Sequence, residues 1–133
     1  MQRNRLLMLV IVLAFAEGVP SLAHHSLANY DQTTLVLIKG TITKIEWINP
    51  HARFFMDAKD ANGKLVNFEI ELTSTAGLLR RGWTRNSLKI GETVTVNGSL
   101  AKDGSNVANA TTVTLSDGKR VFAGSSGGDG NTQ

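Results

Sequence analysis

The sequence predicts an all-β domain with one short helix, an OB-like five-stranded barrel. Three observations carry this. Five segments rich in β-branched residues are separated by turn dipeptides. A single stretch of helical character falls between the third and fourth of them. The chain also has 133 residues and no cysteine, so a small domain must close its sheet without disulfide staples, and a barrel removes the exposed edges that would invite aggregation. An open antiparallel sheet with one helix on a face fits the same pattern.

Before the first strand comes an address. Arg3 and Arg5 precede an apolar run from Leu6 to Ala16, and Glu17-Gly18-Val19-Pro20-Ser21-Leu22-Ala23 follows. This is the layout of a secretory signal peptide over residues 1–23. The run is too short for a bilayer-spanning helix of about 20 residues. Cleavage after Ala16 or after Ala23 satisfies the small-x-small rule. Ala23 is preferred, because Gly18 and Pro20 end the helix just upstream and present an extended segment to the peptidase. The expected product is periplasmic or secreted, with no membrane association after cleavage. Loss of Arg3, Arg5 and Glu17 lowers the formal charge from +3 to +2.

Residues 24–34 read as an N-terminal arm, 35–123 as the barrel domain and 124–133 as a disordered tail of Gly, Ser, Asp, Asn and Thr. The first strand spans Leu35 to Ile48. Its apolar phase moves from even positions (Val36, Ile38, Ile42) to odd ones (Ile45, Trp47), which a flat strand cannot do and a strand bulged near Gly40 to Lys44 can. Asn49-Pro50-His51-Ala52 reads as a tight turn with Asn first and Pro second. Arg53 to Lys59 is the second strand. Asn62-Gly63 marks a hairpin, and Lys64 to Leu72 alternates cleanly between Val66, Phe68, Ile70, Leu72 and the polar Asn67, Glu69, Glu71.

Thr73-Ser74 can cap a helix through Arg81, which Gly82 ends. Gly77 weakens this helix, so Leu78 and Leu79 are both expected to pack on the sheet. Thr93 to Leu100 and Val107 to Leu115 are the fourth and fifth strands, joined across Asp103-Gly104; Ser116-Asp117-Gly118 turns into a short Lys119 to Phe122. The expected core is Ile38, Ile42, Ile45, Phe68, Ile70, Leu78, Leu79, Val94 and Val96, with Trp83 plugging one barrel end.

Gly40-Thr-Ile-Thr-Lys-Ile-Glu-Trp-Ile-Asn-Pro-His51, preceded by His24-His25-Ser26 and Tyr30-Asp31, resembles the bacterial domain of unknown function 6152 family. The blocks Leu79 to Glu92 and Val94 to Gly98 are similar to that family's second motif. The resemblance covers His24 to about Phe122 and implies a small exported bacterial protein, with no activity to inherit. Leu27 departs from the pattern, since an aromatic is expected there.

The three histidines, His24, His25 and His51, lie at the expected mature N-terminus or in the first turn. Cleavage after Ala23 would free the α-amine of His24, which with its imidazole can chelate Cu(II), and His51 or His25 would add a third nitrogen. The plainer reading is a hydrophilic pair after the cleavage site and a turn histidine; it stands ahead, because short His tracts are compositional evidence only. Tyr30, Trp47 and Arg53 are candidates for a ligand face near the first turn, where OB barrels bind, although the rings are also needed for the core.

The remaining candidates point away from chemistry. Arg80, Arg81, Arg85 and Lys89 read as a solvated cluster rather than a nucleic-acid surface. Glu46, Glu69 and Glu71 fall on solvent-facing strand positions, as ordinary surface carboxylates do. Ser26, His25 and Asp31 sit on an unanchored segment unsuited to a triad. Two function classes remain, neither of them enzymatic: an exported Cu(II)-binding protein, and a metal-free module for a small ligand or a protein.

Overall fold

The computed structural model describes residues 27–124. It is a closed five-stranded mixed β-barrel with one helix and a short sixth strand. The segment expected to be a signal peptide, His24, His25 and the tail beyond Gly124 lie outside the described residues. After a 3-10 turn at Leu27–Asn29, the elements are β1 (Val36–Glu46), β2 (Arg53–Lys59), β3 (Leu65–Glu71), α1 (Thr75–Arg80), β4 (Thr93–Leu100), β5 (Val107–Thr114) and β6 (Arg120–Phe122).

Long β1 serves two neighbours. Val36 to Thr41 pair with β4 and Gly40 to Glu46 pair with β2, so the strand must bend where its partners change. Two features allow it. The ladder to β2 shifts between Ile42 and Lys44, which is the bulge that the phase change of the apolar residues implies. At Gly40 a Cβ would overlap the Asp57 carbonyl, so only glycine lets the two backbones approach this closely.

Closure comes from β3 and β5, which pair in parallel through Glu69 to Glu71 and Val107 to Asn109. Antiparallel β2–β3, β1–β2, β1–β4 and β4–β5 ladders complete the circuit 1-2-3-5-4. That order, with the helix between β3 and β4, is the OB topology.

The core contains seven of the nine residues expected in it, from Ile38 to Val96, and Ile45 packs against it partly buried. It also takes Phe54, Met56, Ala108, Ala110 and Val113. Leu79 is a correction: it is 56% exposed, whereas Leu78 is fully buried. A six-residue helix has one buried stripe, and consecutive residues lie about 100° apart around its axis.

The caps follow the sequence. The Ser74 side chain accepts from Gly77 N at 3.1 Å. Gly82 takes φ +87°, and Trp83 N donates to Leu78 O at 3.0 Å while Gly82 N donates to Leu79 O at 3.1 Å, a Schellman closure. Trp83 is thereby turned into the core, and its indole N–H donates to Phe122 O in β6 at 2.9 Å.

Two further expectations are revised. The Asn49–Pro50 bond is cis, and the Asn49 side chain does not close the turn on itself: it accepts from Thr75 N and Oγ1 at 3.2 and 2.9 Å. The arm from Leu27 onward is anchored, not free. Tyr30 bridges Ala101, Asp31 N donates to Leu100 O and Lys102 N to Asn29 O, and the Tyr30 side chain is buried. At the other end Gly124 is tied as well, its N–H to Thr111 O and its carbonyl to Arg81 Nη1.

Candidate functional site

A polar row crosses the outer face of the barrel because the registers align it. Glu46 in β1 is the cross-strand partner of Arg53 in β2, Arg53 of Glu71 in β3, and Glu71 of Asn109 in β5. Side chains directly opposite each other in adjacent strands share a face. Arg53 does not pair with its direct neighbour Glu71. Its Nε bonds Glu46 Oε2 and its Nη1 donates to Glu69 Oε1 at 3.0 Å.

These contacts fix the charges. Lys44, with its Nζ 2.7 Å from Glu46 Oε1, and then Arg53 hold the Glu46 carboxyl below the usual carboxylate range. Glu46 and then Glu69 raise the Arg53 guanidinium, against the opposing effect of desolvation.

Glu71 is released to other partners. Tyr30 folds over the row from the arm, and its hydroxyl donates to Glu71 Oε2 at 2.7 Å. Burial first, and then this bond to an anion, push the Tyr30 phenol well above its ordinary pKa. The second oxygen, Glu71 Oε1, is buried with no hydrogen-bond donor among the described residues. Across from it, His51 Nδ1 stands 3.7 Å away.

His51 is held by the loop that joins β1 to β2. Ala52 N donates to Thr73 O and Leu72 N to Ala52 O, which lays the loop against the end of β3. The His51 Nδ1 then stands 3.1 Å from Leu72 O. A backbone carbonyl only accepts, so Nδ1 carries the hydrogen and the neutral ring keeps its lone pair on Nε2. That is the form in which a histidine binds a metal or accepts a proton.

Beside this ring is an open cleft of about 240 Å³ lined by Ile48, Pro50, His51, Arg53, Glu69 and Glu71. A second, shallower depression of about 430 Å³ lies beyond Tyr30, against Asp103 and Val107. Of the residues expected to form a ligand face, Arg53 lines the first cleft and Tyr30 lines the second. Trp47 belongs elsewhere: it packs against the core and lines a narrow crevice with Leu72 and Leu88.

Of the expected metal donors only His51 is among the described residues, and no group of three His, Cys, Asp or Glu suited to a metal occurs among them. Glu69 and Glu71 are corrected from ordinary surface carboxylates to cleft-lining groups. The alternation of β3 puts them outside, but the Tyr30 that covers Glu71 comes from 41 positions away in the chain. No local pattern in the sequence joins Tyr30, His51 and Glu71, which stand about twenty positions apart.

The fold and the cleft together define a small OB-type barrel with a charged surface site between the first loop and the β2–β3 face, the region where barrels of this type take ligands. The chain belongs to the family of unknown function DUF6152, which it matches over residues 12–110. Comparison with curated proteins and with solved structures finds no match. The matched span includes the arm, the first loop, β1 to β4 and the whole polar row from Glu46 to Asn109.

Proposed function

We propose that this chain is an exported binding protein that holds Cu(II) at the His51 cleft, with the α-amine and imidazole of His24 as the other donors once the leader is cut after Ala23. The observation that supports it is the Tyr30–Glu71 bond. It roots the arm on Glu71, which lines the same cleft as His51. From Leu27, three residues lead back to His24, a reach of up to about 10 Å. Imidazole and amine nitrogens suit Cu(II), and a histidine whose Nδ1–H is already held by a carbonyl is prepared to coordinate through Nε2. His25 competes with His51 for the third position.

N-terminal sequencing of the exported protein comes first, and a start at His24 is expected. Three proteins are then titrated with Cu(II) and followed by calorimetry and electron paramagnetic resonance: the native start, one with an alanine before His24, and His51→Ala. The extra residue is expected to weaken binding at least tenfold and to change the spectrum. An unchanged titration removes the amine from the site. A silent His51→Ala transfers the third position to His25. Because coordinating nitrogens must shed their protons, affinity falls on acidification.

A second reading is a metal-free module for a small ligand or a protein partner. The carboxylates of Glu69 and Glu71 beside the apolar Ile48 and Pro50 favour a ligand that joins a cationic group to an apolar body. Absence of Cu(II) binding in all three proteins would leave this reading standing.

A further inference from the structure

We propose that Glu71 is the positioning residue of His51: held by Tyr30 at one oxygen, it turns the other toward the imidazole Nδ1–H and so keeps the Nε2 lone pair aimed for a ligand. This rests on the His51 cleft being the binding site and adds the group that orients it.

The geometry is a relay of three side chains from three separate parts of the fold. Tyr30 Oη donates to Glu71 Oε2 at 2.7 Å. Glu71 Oε1 is buried, has no donor of its own and stands 3.7 Å from His51 Nδ1. The same Nδ1 is 3.1 Å from Leu72 O. One N–H thus faces two acceptors, a neutral carbonyl and a carboxylate. A buried acceptor without a donor is costly, and a small rotation of the ring toward Glu71 relieves it. When Nε2 coordinates a cation the ring becomes a stronger donor at Nδ1, and the carboxylate is then the better of the two acceptors. Tyr30 prevents Glu71 from turning away, which makes the arm part of the orienting device.

The alternative is that the Leu72 carbonyl alone fixes the ring and Glu71 is only a surface carboxylate covered by Tyr30. The two differ in what Glu71→Gln does. The Tyr30 hydroxyl needs an acceptor, so the amide oxygen of the glutamine faces it and the amide N–H₂ faces His51. Two donors then oppose each other, the ring turns from the glutamine, and its Nδ1–H is left to the Leu72 carbonyl alone, so the carboxylate no longer orients Nε2.

The test uses metal-free mature protein labelled with nitrogen-15, in a buffer where imidazole is neutral, with the ring nitrogens of His51 read by long-range proton–nitrogen correlation. Wild type is expected to show a protonated Nδ1 and a bare Nε2. Glu71→Gln is expected to move the Nδ1 proton upfield while Nε2 stays bare, with backbone amide signals confirming the fold. Identical ring resonances in the two proteins overturn the proposal.

Should Glu71→Gln not fold, Tyr30→Phe carries the test. It removes the hold on Glu71 Oε2, so the carboxylate turns away from Nδ1 and that proton moves upfield; an unmoved proton also overturns the proposal. In the Cu(II) titration Glu71→Gln is expected to lose 10- to 100-fold in affinity, the usual effect of removing such a partner. If wild type binds no Cu(II), the metal reading fails while the metal-free Nδ1 proton shift still decides the role of Glu71.

Discussion

Tyr30 and Glu71, 41 positions apart in the chain, are joined by a hydrogen bond of 2.7 Å from phenol to carboxylate. This bond connects the N-terminal arm to the third strand. Tyr30 is 6% exposed, so the pairing is largely shielded from water. Each partner lines a different depression, Tyr30 the one against Asp103 and Val107 and Glu71 the one beside His51.

Tyr30→Phe keeps the ring and deletes the donor. A hydrogen bond to a charged group contributes about 1.5–3 kcal/mol. The variant also leaves both Glu71 oxygens without a donor, which places the expected loss toward the upper part of that range. Urea unfolding should show a lower midpoint with an unchanged slope, since the surface exposed on unfolding is the same. A midpoint equal to wild type would mean that water replaces the hydroxyl at no cost.

The same bond makes stability depend on alkaline pH. Tyr30 is raised above its ordinary value, by burial first and by Glu71 second. A raised pKa means the folded state holds the proton more tightly than the unfolded chain. The stabilisation is therefore complete below the unfolded pKa of about 10 and is lost as pH rises beyond it. Tyr30 is the sole tyrosine, so phenolate absorbance reports it alone. Absorbance is expected to rise near pH 10 in denaturant and to lag behind in native buffer, appearing together with unfolding. Titration at the same pH in both conditions would contradict the burial argument.

On the acid side the relevant group is Glu46, held low by Lys44 and then Arg53. A depressed carboxylate stabilises the fold above its unfolded pKa, about 4.3, and that contribution disappears as pH falls through the folded value. Replacing both Lys44 and Arg53 by glutamine removes the depression. The acid limb of the stability curve should then lose the part of its slope that Glu46 supplies, and high salt should mimic the effect weakly, because these side chains are partly exposed. An acid limb identical to wild type would remove Glu46 from the account.

Local signals in the sequence were sufficient where a residue's own neighbours decide its state. The bounds of β2 and β4 followed from turn residues, the β1 bulge from the phase change around Gly40 to Lys44, and the helix caps from Ser74 and Gly82. Phe54 and Met56 were not assigned to the core because Arg53-Phe54-Phe55-Met56 does not alternate clearly; the registers with Ile70 and Phe68 decide which of them point inward. The parallel β3–β5 ladder joins segments far apart in the chain, and no local pattern encodes it. Glu71 shows the limit most directly. Alternation assigns it to the outer face, which is correct, but what covers that face depends on Tyr30 and on the loop that carries His51.

The helix provides the sharpest contrast between two adjacent residues that look alike in sequence. Leu78 is fully buried and Leu79 is 56% exposed, although both were expected in the core. α1 has only six residues and cannot be stable alone, since isolated helices need about 12–15 residues to be even marginal. Its stability therefore comes from Leu78 and from the closure around Gly82, which turns Trp83 inward. Leu78→Ala removes the buried contact and leaves a cavity, a change that costs about 2–5 kcal/mol. Leu79→Lys removes only exposed apolar surface and is expected to stay within about 0.5 kcal/mol of wild type. Parallel urea titrations of the two variants test this. Comparable losses would mean that Leu79 is buried in solution against something outside the described chain, and that the exposed side of the helix is a contact surface.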